Sequence, residues 1–348
     1  MKNYIKNAVA LLLLVVFLLS SNLTVIAAGQ PSSYSSTSNS GERGVVCTSL
    51  KGTGAEDYYT GDYSYENLSS MSQSFLLSSL RKLMTETLTR ESSYDTCKTM
   101  APKTDCENND GRIVMLYTSY SGSYSEYNSG NGWNREHVWP KSLGGFETEG
   151  PGADLHHIRP TENQTNSKRG NSKYGYANGS TVTGNLSGLV GGTLASYYEP
   201  LDNVKGDVAR ICLYIYVTYG GSYTKCSSVT NVFQSVDVLL EWCALDPVDT
   251  WEMGRNEVVE AYQGNRNVFI DYPELAWAIY GKTAPADMVT PSGNGGNSGN
   301  ENGSSSGSEN TDIDVEGLVA TLDSEAEKLL ILLALGVSNS LCLNEITN

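Results

Sequence analysis

Residues 132–142 read GWNREHVWPKS. A glutamate stands directly before a histidine, with an arginine, two tryptophans and a proline within the same eleven residues. The chain has only three histidines in 348 residues, and all lie within 21 positions: His137 here, and His156 and His157 in DLHHIRP at 154–160. A lone histidine is more often structural than catalytic. Three so close together, each beside Asp, Glu, Arg or Asn, point to proton or metal chemistry for at least one of them.

Residues 159–171, RPTENQTNSKRGN, follow. Thr161 with Gln164 is a capping-box pattern, so a helix is expected to start near Glu162, with Gly170 stopping it. Asn163, Asn166 and Arg169 then fall at i, i+3 spacing on one face. Asparagine is a mediocre helix former. Its repeated use is explained either by capping and solubility or by side-chain carbonyl oxygens aimed at a hard cation such as Mg²⁺, Ca²⁺ or Mn²⁺.

Working outward, Met71–Arg90 has apolar residues at helical spacing, and 112–117 (RIVMLY) reads as a strand. Gly206–Tyr219, Val232–Leu245 and Thr250–Gln263 read as helices. Residues 29–44 are Ser-rich and expected to be disordered; 286–311 form a Gly/Ser/Asn linker; 312–348 form a tail without an assigned role. The folded domain is expected over 45–285.

Residues 1–28 carry Lys2 and Lys6, an apolar run from Ala8 to Leu19 and small residues at Ala27-Ala28. This is a secretory signal pattern, implying a secreted or extracytoplasmic protein, released or kept at a bacterial cell envelope. Six cysteines (Cys47, Cys97, Cys106, Cys212, Cys226, Cys243) then suggest disulfides, first as Cys97–Cys106, Cys212–Cys226 and Cys47–Cys243. Cys342 is left over, and no CxxC supports a zinc ribbon.

The net charge of −16 argues against a protein that coats nucleic acid. Residues 155–175 nevertheless hold Arg159, Lys168, Arg169 and Lys173 against Glu162 alone, a local +3 that suits a confined polyanion site. Cutting a phosphodiester needs a base to take a proton from water, a cation on the phosphate, oxygen ligands for that cation and basic groups on the phosphates. His137, Glu136 with Asn166, and Arg159, Lys168 and Arg169 are residue types that supply these parts.

The blocks NREHVWPKS, GADLHHIRPTENQTNSKRGN, KGDVARICLYIYVTY and DPVDTWEMGRNEVVEAYQGNRNVFIDYPEL, in that order, resemble the bacterial endonuclease I family of secreted or periplasmic nucleases, in the His-Me finger (ββα-metal) group. The resemblance covers roughly 50–282. It implies an α+β fold whose ββα-metal core is wrapped by helices. His137 would be the general base at the end of the first finger strand. Glu136 and Asn166 would be metal ligands, with Mg²⁺ (or Ca²⁺/Mn²⁺) as cofactor. Arg135, Lys168, Arg169 and Asn171 would contact phosphate. His156 would pack or orient, and Arg266, Asn267 and Asp271 would be structural or brace the site.

Val268 replaces a proline common in the family. The loop 141–153 offers only Lys141 as a basic group, so Arg159 is the substitute expected at the transition-state charge. Trp133, Val138 and Trp139 are expected to pack around the histidine, with Pro140 ending the strand. The implied substrate is DNA and also RNA, cut with little regard to sequence by a monomer without a stable protein partner. The rivals are a noncatalytic extracellular binding module, a phosphodiesterase on small substrates and a decayed nuclease.

Overall fold

The computed structural model describes residues 50–291, except 108–110, 120, 178–183, 186–187, 190–191 and 195–196. The leader, the Ser-rich segment, most of the linker, the tail, Cys47 and Cys342 lie outside the described residues.

Helix α1 (Gln73–Glu86) buries Leu76, Leu80, Leu83 and Met84 at the spacing of one helical stripe and leaves Phe75 exposed. Helix α2 (Tyr94–Thr104) starts where the Ser93 hydroxyl accepts the Thr96 N–H. The sequence reading contains no helix here, because Pro102 and scattered threonines blur the apolar period. Strands β1 (Cys106–Glu107), β2 (Arg112–Val114) and β3 (Ser121–Ser123) make a small antiparallel sheet. The expected strand 112–117 is thus shorter. Beyond Val114 the chain turns toward the next hairpin, where the Leu116 N–H donates to Pro160 O at 2.9 Å.

That hairpin is the centre of the molecule. Strand β4 (Trp133–His137) pairs antiparallel with β5 (Ile158–Glu162), with Glu136 opposite Arg159 and His137 opposite Ile158. Helix α3 (Asn163–Arg169) follows β5 without a loop. The expected capping box does not form. Thr161 is paired with Asn134 inside the sheet, its buried hydroxyl has no hydrogen-bond partner, and Glu162 takes the N-cap position without a side-chain capping bond, its carboxylate accepting from Thr118 instead. Gly170 stops the helix as expected, at φ 58°, a conformation costly for a residue with a Cβ. Strand β6 (Lys173–Tyr174) pairs parallel with Tyr197–Glu199, which pairs antiparallel with Gly192–Leu194.

Helix α4 (Asp202–Tyr219) is buried on nearly every side, apolar from Ile211 to Val217 and with its buried Lys205, Asp207 and Arg210 in ion pairs, and it packs between α1 and α5 (Val236–Leu245). Helix α5 starts later than the expected Val232, because the Ser235 hydroxyl caps it by accepting the Val238 N–H. Helix α6 (Thr250–Gln263) is capped by Asp249 and closed by Gly264 at φ 91°. Short helical segments follow at Val268–Asp271 and Leu275–Ala278. Helices and small sheets share one chain, an α+β architecture. No helix among the described residues is long and apolar enough to cross a membrane.

The three disulfide pairings are corrected. Cys97, Cys212, Cys226 and Cys243 are buried free thiols. Cys97 Sγ donates to Ala153 O at 3.0 Å, and Cys226 Sγ to Gly144 O at 3.6 Å, while Cys212 and Cys243 are part of the apolar core. Cysteine used this way is a small hydrophobe. Burial pushes the Cys97 thiol up to about 12, so it is unreactive as a thiolate. Cys106 is disulfide-bonded.

Candidate functional site

Strand alternation divides the residues of β4 between two faces. Asn134 and Glu136 face the helix α3; Trp133, Arg135 and His137 face the other way. The helix face expected from sequence meets the first set. Asn166 Nδ2 donates to Asn134 Oδ1 at 2.6 Å, and Asn134 Nδ2 donates to Asn163 Oδ1 at 2.9 Å. This relay fixes the half-buried Asn166 amide so that its own Oδ1 is the remaining acceptor.

One turn on, Arg169 reaches Glu136 Oε1 at 3.1 Å and donates to the carbonyls of His137 (3.2 Å) and Val138 (2.7 Å). Tyr117 donates to the same Glu136 oxygen at 2.6 Å and lies 2.6 Å from the Tyr174 hydroxyl, which bonds to Val138 O. Burial raises the Glu136 pKa, opposed by the charge of Arg169 and the bond from Tyr117. The strand end is therefore bolted to the helix by charge-assisted bonds.

On the opposite face the His137 ring stacks on Tyr94 of α2, with centroids 5.3 Å apart and planes 21° apart. Its Nε2 lies 3.1 Å from Gly152 O. A carbonyl can only accept, so Nε2 carries the hydrogen and Nδ1 keeps the lone pair. Burial, with the charges of Lys141 and Arg135 behind it, lowers the imidazole pKa to about 4, offset in part by the bond to Gly152. The ring is thus neutral near pH 7. Gly152 makes the approach possible, since a Cβ there would sit 1.7 Å from Glu147 O.

His156 and His157 hold the loop that presents Gly152. His157 accepts the Trp139 N–H on Nε2 at 2.8 Å and donates from Nδ1 to Pro151 O. The His156 ring donates from Nε2 to Asn265 O at 2.9 Å. Both are wholly buried, and burial lowers their pKa values to about 3 for His157 and about 4 for His156. Unfolded histidine titrates near 6.5. Below that pH the unfolded chain binds protons that the folded site refuses, so stability present above pH 6.5 is lost as the pH falls toward 4. We expect denaturant unfolding to show a loss of about 2 kcal/mol per buried histidine between pH 7 and pH 5. A flat profile over that range contradicts the neutral pinning of this loop.

The remaining expected site residues lie as follows. Arg159, expected at the scissile phosphate, is 2% exposed. Its Nε meets Asp105 at 2.7 Å, its Nη1 meets Asp207 at 3.4 Å, and its guanidinium lies over Trp251. Arg169, expected on phosphate, is 1% exposed and spent on Glu136 and the strand end. Arg135 is partly exposed but tied to Tyr94 O at 2.6 Å and to Asp95 and Tyr127, its guanidinium 3.6 Å from the Tyr94 centroid. Lys168 and Asn171 lie at the surface, Asn171 donating to Ser142 Oγ at 3.4 Å.

Trp133, Val138 and Trp139 are buried around the strand end. Arg266 clamps Asp271 with two bonds, and Asn267 caps Phe269, so this block is structural. Val268, in the proline position, is fully buried. The sequence reading lacks Asn134, Tyr94, Tyr117, Tyr174 and the Gly152 carbonyl. Asn134 alone had a local signal, standing two residues before Glu136 and so on its face.

The oxygen donors gathered where α3 crosses β4 are one carboxylate and a relay of amides. This is a donor set for a hard cation that keeps most of its water, not for zinc.

Residues 73–274 match the family model described as Endonuclease I. The extracellular ribonuclease of Bacillus subtilis (strain 168) is 43% identical over 190 residues, which is 49% of this chain and 62% of that protein. The extracellular ribonuclease of Bacillus amyloliquefaciens is 41% identical over 191 residues, again 49% and 62%. The aligned part thus spans less than two thirds of these relatives. With a matched region that runs from α1 past α6 and encloses the whole hairpin–helix site, the chain belongs to the endonuclease I family.

Proposed function

We propose that the protein is an exported, metal-dependent nuclease that hydrolyses phosphodiester bonds of nucleic acid with little regard to sequence, through a ββα-metal site formed by β4, β5 and α3. The observation that carries this reading is the fixed tautomer of His137. A neutral imidazole with Nε2–H bound to Gly152 and a bare Nδ1 is a base ready to take a proton from water. Export is supported by the leader-like first 28 residues and by relatives named extracellular. Those names also put RNA first among substrates to test, with DNA beside it.

Glu136 and Asn166 Oδ1 would hold the cation, with Mg²⁺ first and Ca²⁺ or Mn²⁺ as alternatives. Such an ion, when bound, supplies neutralising charge at the phosphate and the leaving oxygen. The rest belongs to this chain's own residues. Gly152 and Tyr94 orient the imidazole; Asn134 turns the Asn166 amide; Arg169 and Tyr117 hold Glu136 in place. Water activated at Nδ1 of His137 attacks phosphorus, and the departing oxygen collects a proton from solvent.

The test is cleavage of RNA and of plasmid DNA by the protein lacking its leader, with each cation and with EDTA. Intact substrate in every cation-containing lane refutes the proposal. Asn166→Ala should raise the half-saturating Mg²⁺ concentration at least about tenfold. Asn134→Ala, acting only through the amide it orients, should shift it by about 10-fold as well. An unchanged Mg²⁺ requirement in Asn166→Ala removes that residue from the ligand set.

A further inference from the structure

Three segments far apart in sequence, 137–146, 163–176 and 222–231, contain no Asp or Glu, in a chain with 39 acids among 348 residues. They also come together in space. Asn171 Nδ2 donates to Ser142 Oγ at 3.4 Å, and Lys225 Nζ donates to Ser142 O at 3.2 Å. Lys173 Nζ donates to Thr230 O at 2.7 Å, and Asn231 Nδ2 to Lys225 O at 2.8 Å. Beneath this surface Cys226 Sγ meets Gly144 O, and the Tyr174 N–H meets Val232 O at 2.7 Å. Lys168 and Lys225 are exposed, Lys173 is half-buried, and Lys141 is 39% exposed with its ammonium 3.0 Å from Glu147.

The face begins at the strand end. Lys141 comes four residues after His137, in the segment that continues β4. In a molecule of net charge −16, three acid-free segments with four lysines, and Glu147 against the first of them, concentrate positive potential where the chemistry is expected.

We propose that this face, running from Lys141 through Lys225 and Lys168 to Lys173, is a phosphate track that holds the nucleic-acid strand on one side of the cut. The proposal rests on the nuclease reading above and deepens it. Two of its four lysines, Lys141 and Lys225, lie outside the basic island of 155–175, and three distant segments make one continuous site. Its donors are ammonium groups with the Asn171 amide and the Ser142 hydroxyl between them. Donors of this kind read backbone phosphate and sugar, not base edges.

The track predicts a length effect. A dinucleotide engages only the cleavage site, whereas a strand of a dozen or more nucleotides also engages the lysines. The double variant Lys173→Ala/Lys225→Ala should keep wild-type kcat and turnover on a dinucleotide, while KM for a long strand rises several-fold. For a fluorescein-labelled 20-nucleotide RNA bound in EDTA, the slope of log affinity against log salt should become shallower by about 1.4, at about 0.7 per lost contact. Lys82→Ala, an exposed lysine of α1 outside the three segments, serves as a control and should change neither quantity.

An unchanged salt slope in the double variant, or an equal loss on short and long substrates, overturns the track. Binding in EDTA that the wild type shows and the double variant weakens supports it even where neither protein cleaves, an outcome that refutes the nuclease reading alone.

Discussion

His137→Ala is expected to lose about 10²- to 10⁴-fold in kcat, the usual share of a positioned general base, with little loss of stability. The ring is half-buried, and its contacts are the Gly152 carbonyl and the faces of neighbouring rings, chiefly Tyr94. It anchors no strand pairing beyond what its backbone supplies. The wild-type pH profile should carry the mark of this residue. With the imidazole pKa lowered to about 4, activity should rise as the pH climbs through that value and level off well before neutrality. In His137→Ala that limb should disappear. Rates must be measured at low temperature, because the buried histidines withdraw stability over the same acid range. Near-wild-type turnover in His137→Ala, with thermal unfolding unchanged, shows that another group takes the proton.

The parts of the site legible in the sequence were those fixed by short-range periodicity. Asn163, Asn166 and Arg169 fall on one face by helix geometry alone, and that face does meet β4. Glu136 beside His137 needed no tertiary information either. What each arginine does was not legible. Arg159 and Arg169 look like free phosphate ligands in a local charge count. Their fates depend on Asp105 and Asp207, more than forty residues away, and on Glu136 across the hairpin. The tautomer of His137 depends on a carbonyl in a glycine-tight turn, and Tyr94 lies in a helix whose apolar period is masked. Cysteine pairing failed for a related reason. Closeness in sequence favoured Cys212 with Cys226, but one thiol is committed to the core and the other points at a backbone carbonyl.

Arg159→Ala is expected to cost about 3–5 kcal/mol of stability, the range for removing one partner of a buried ion pair. Any change in kcat should stay within a few-fold for the molecules still folded. The geometry requires this order of effects. Arg159 and Arg255 both contact Asp105 Oδ1, at 2.7 and 3.0 Å, and Arg159 also reaches Asp207 at 3.4 Å. All four side chains are at most 5% exposed. Removing Arg159 takes one guanidinium away from two buried carboxylates and opens a gap against Trp251. Buried charge without compensation is among the few single-site changes that large.

A transition-state role makes the opposite demand: stability nearly unchanged, and kcat lower by orders of magnitude. Denaturant unfolding together with single-turnover cleavage at 10 °C separates the two. A folded Arg159→Ala of normal stability that no longer cuts would return this arginine to the chemistry. It would also require a rearrangement on substrate binding that frees the guanidinium from Asp105.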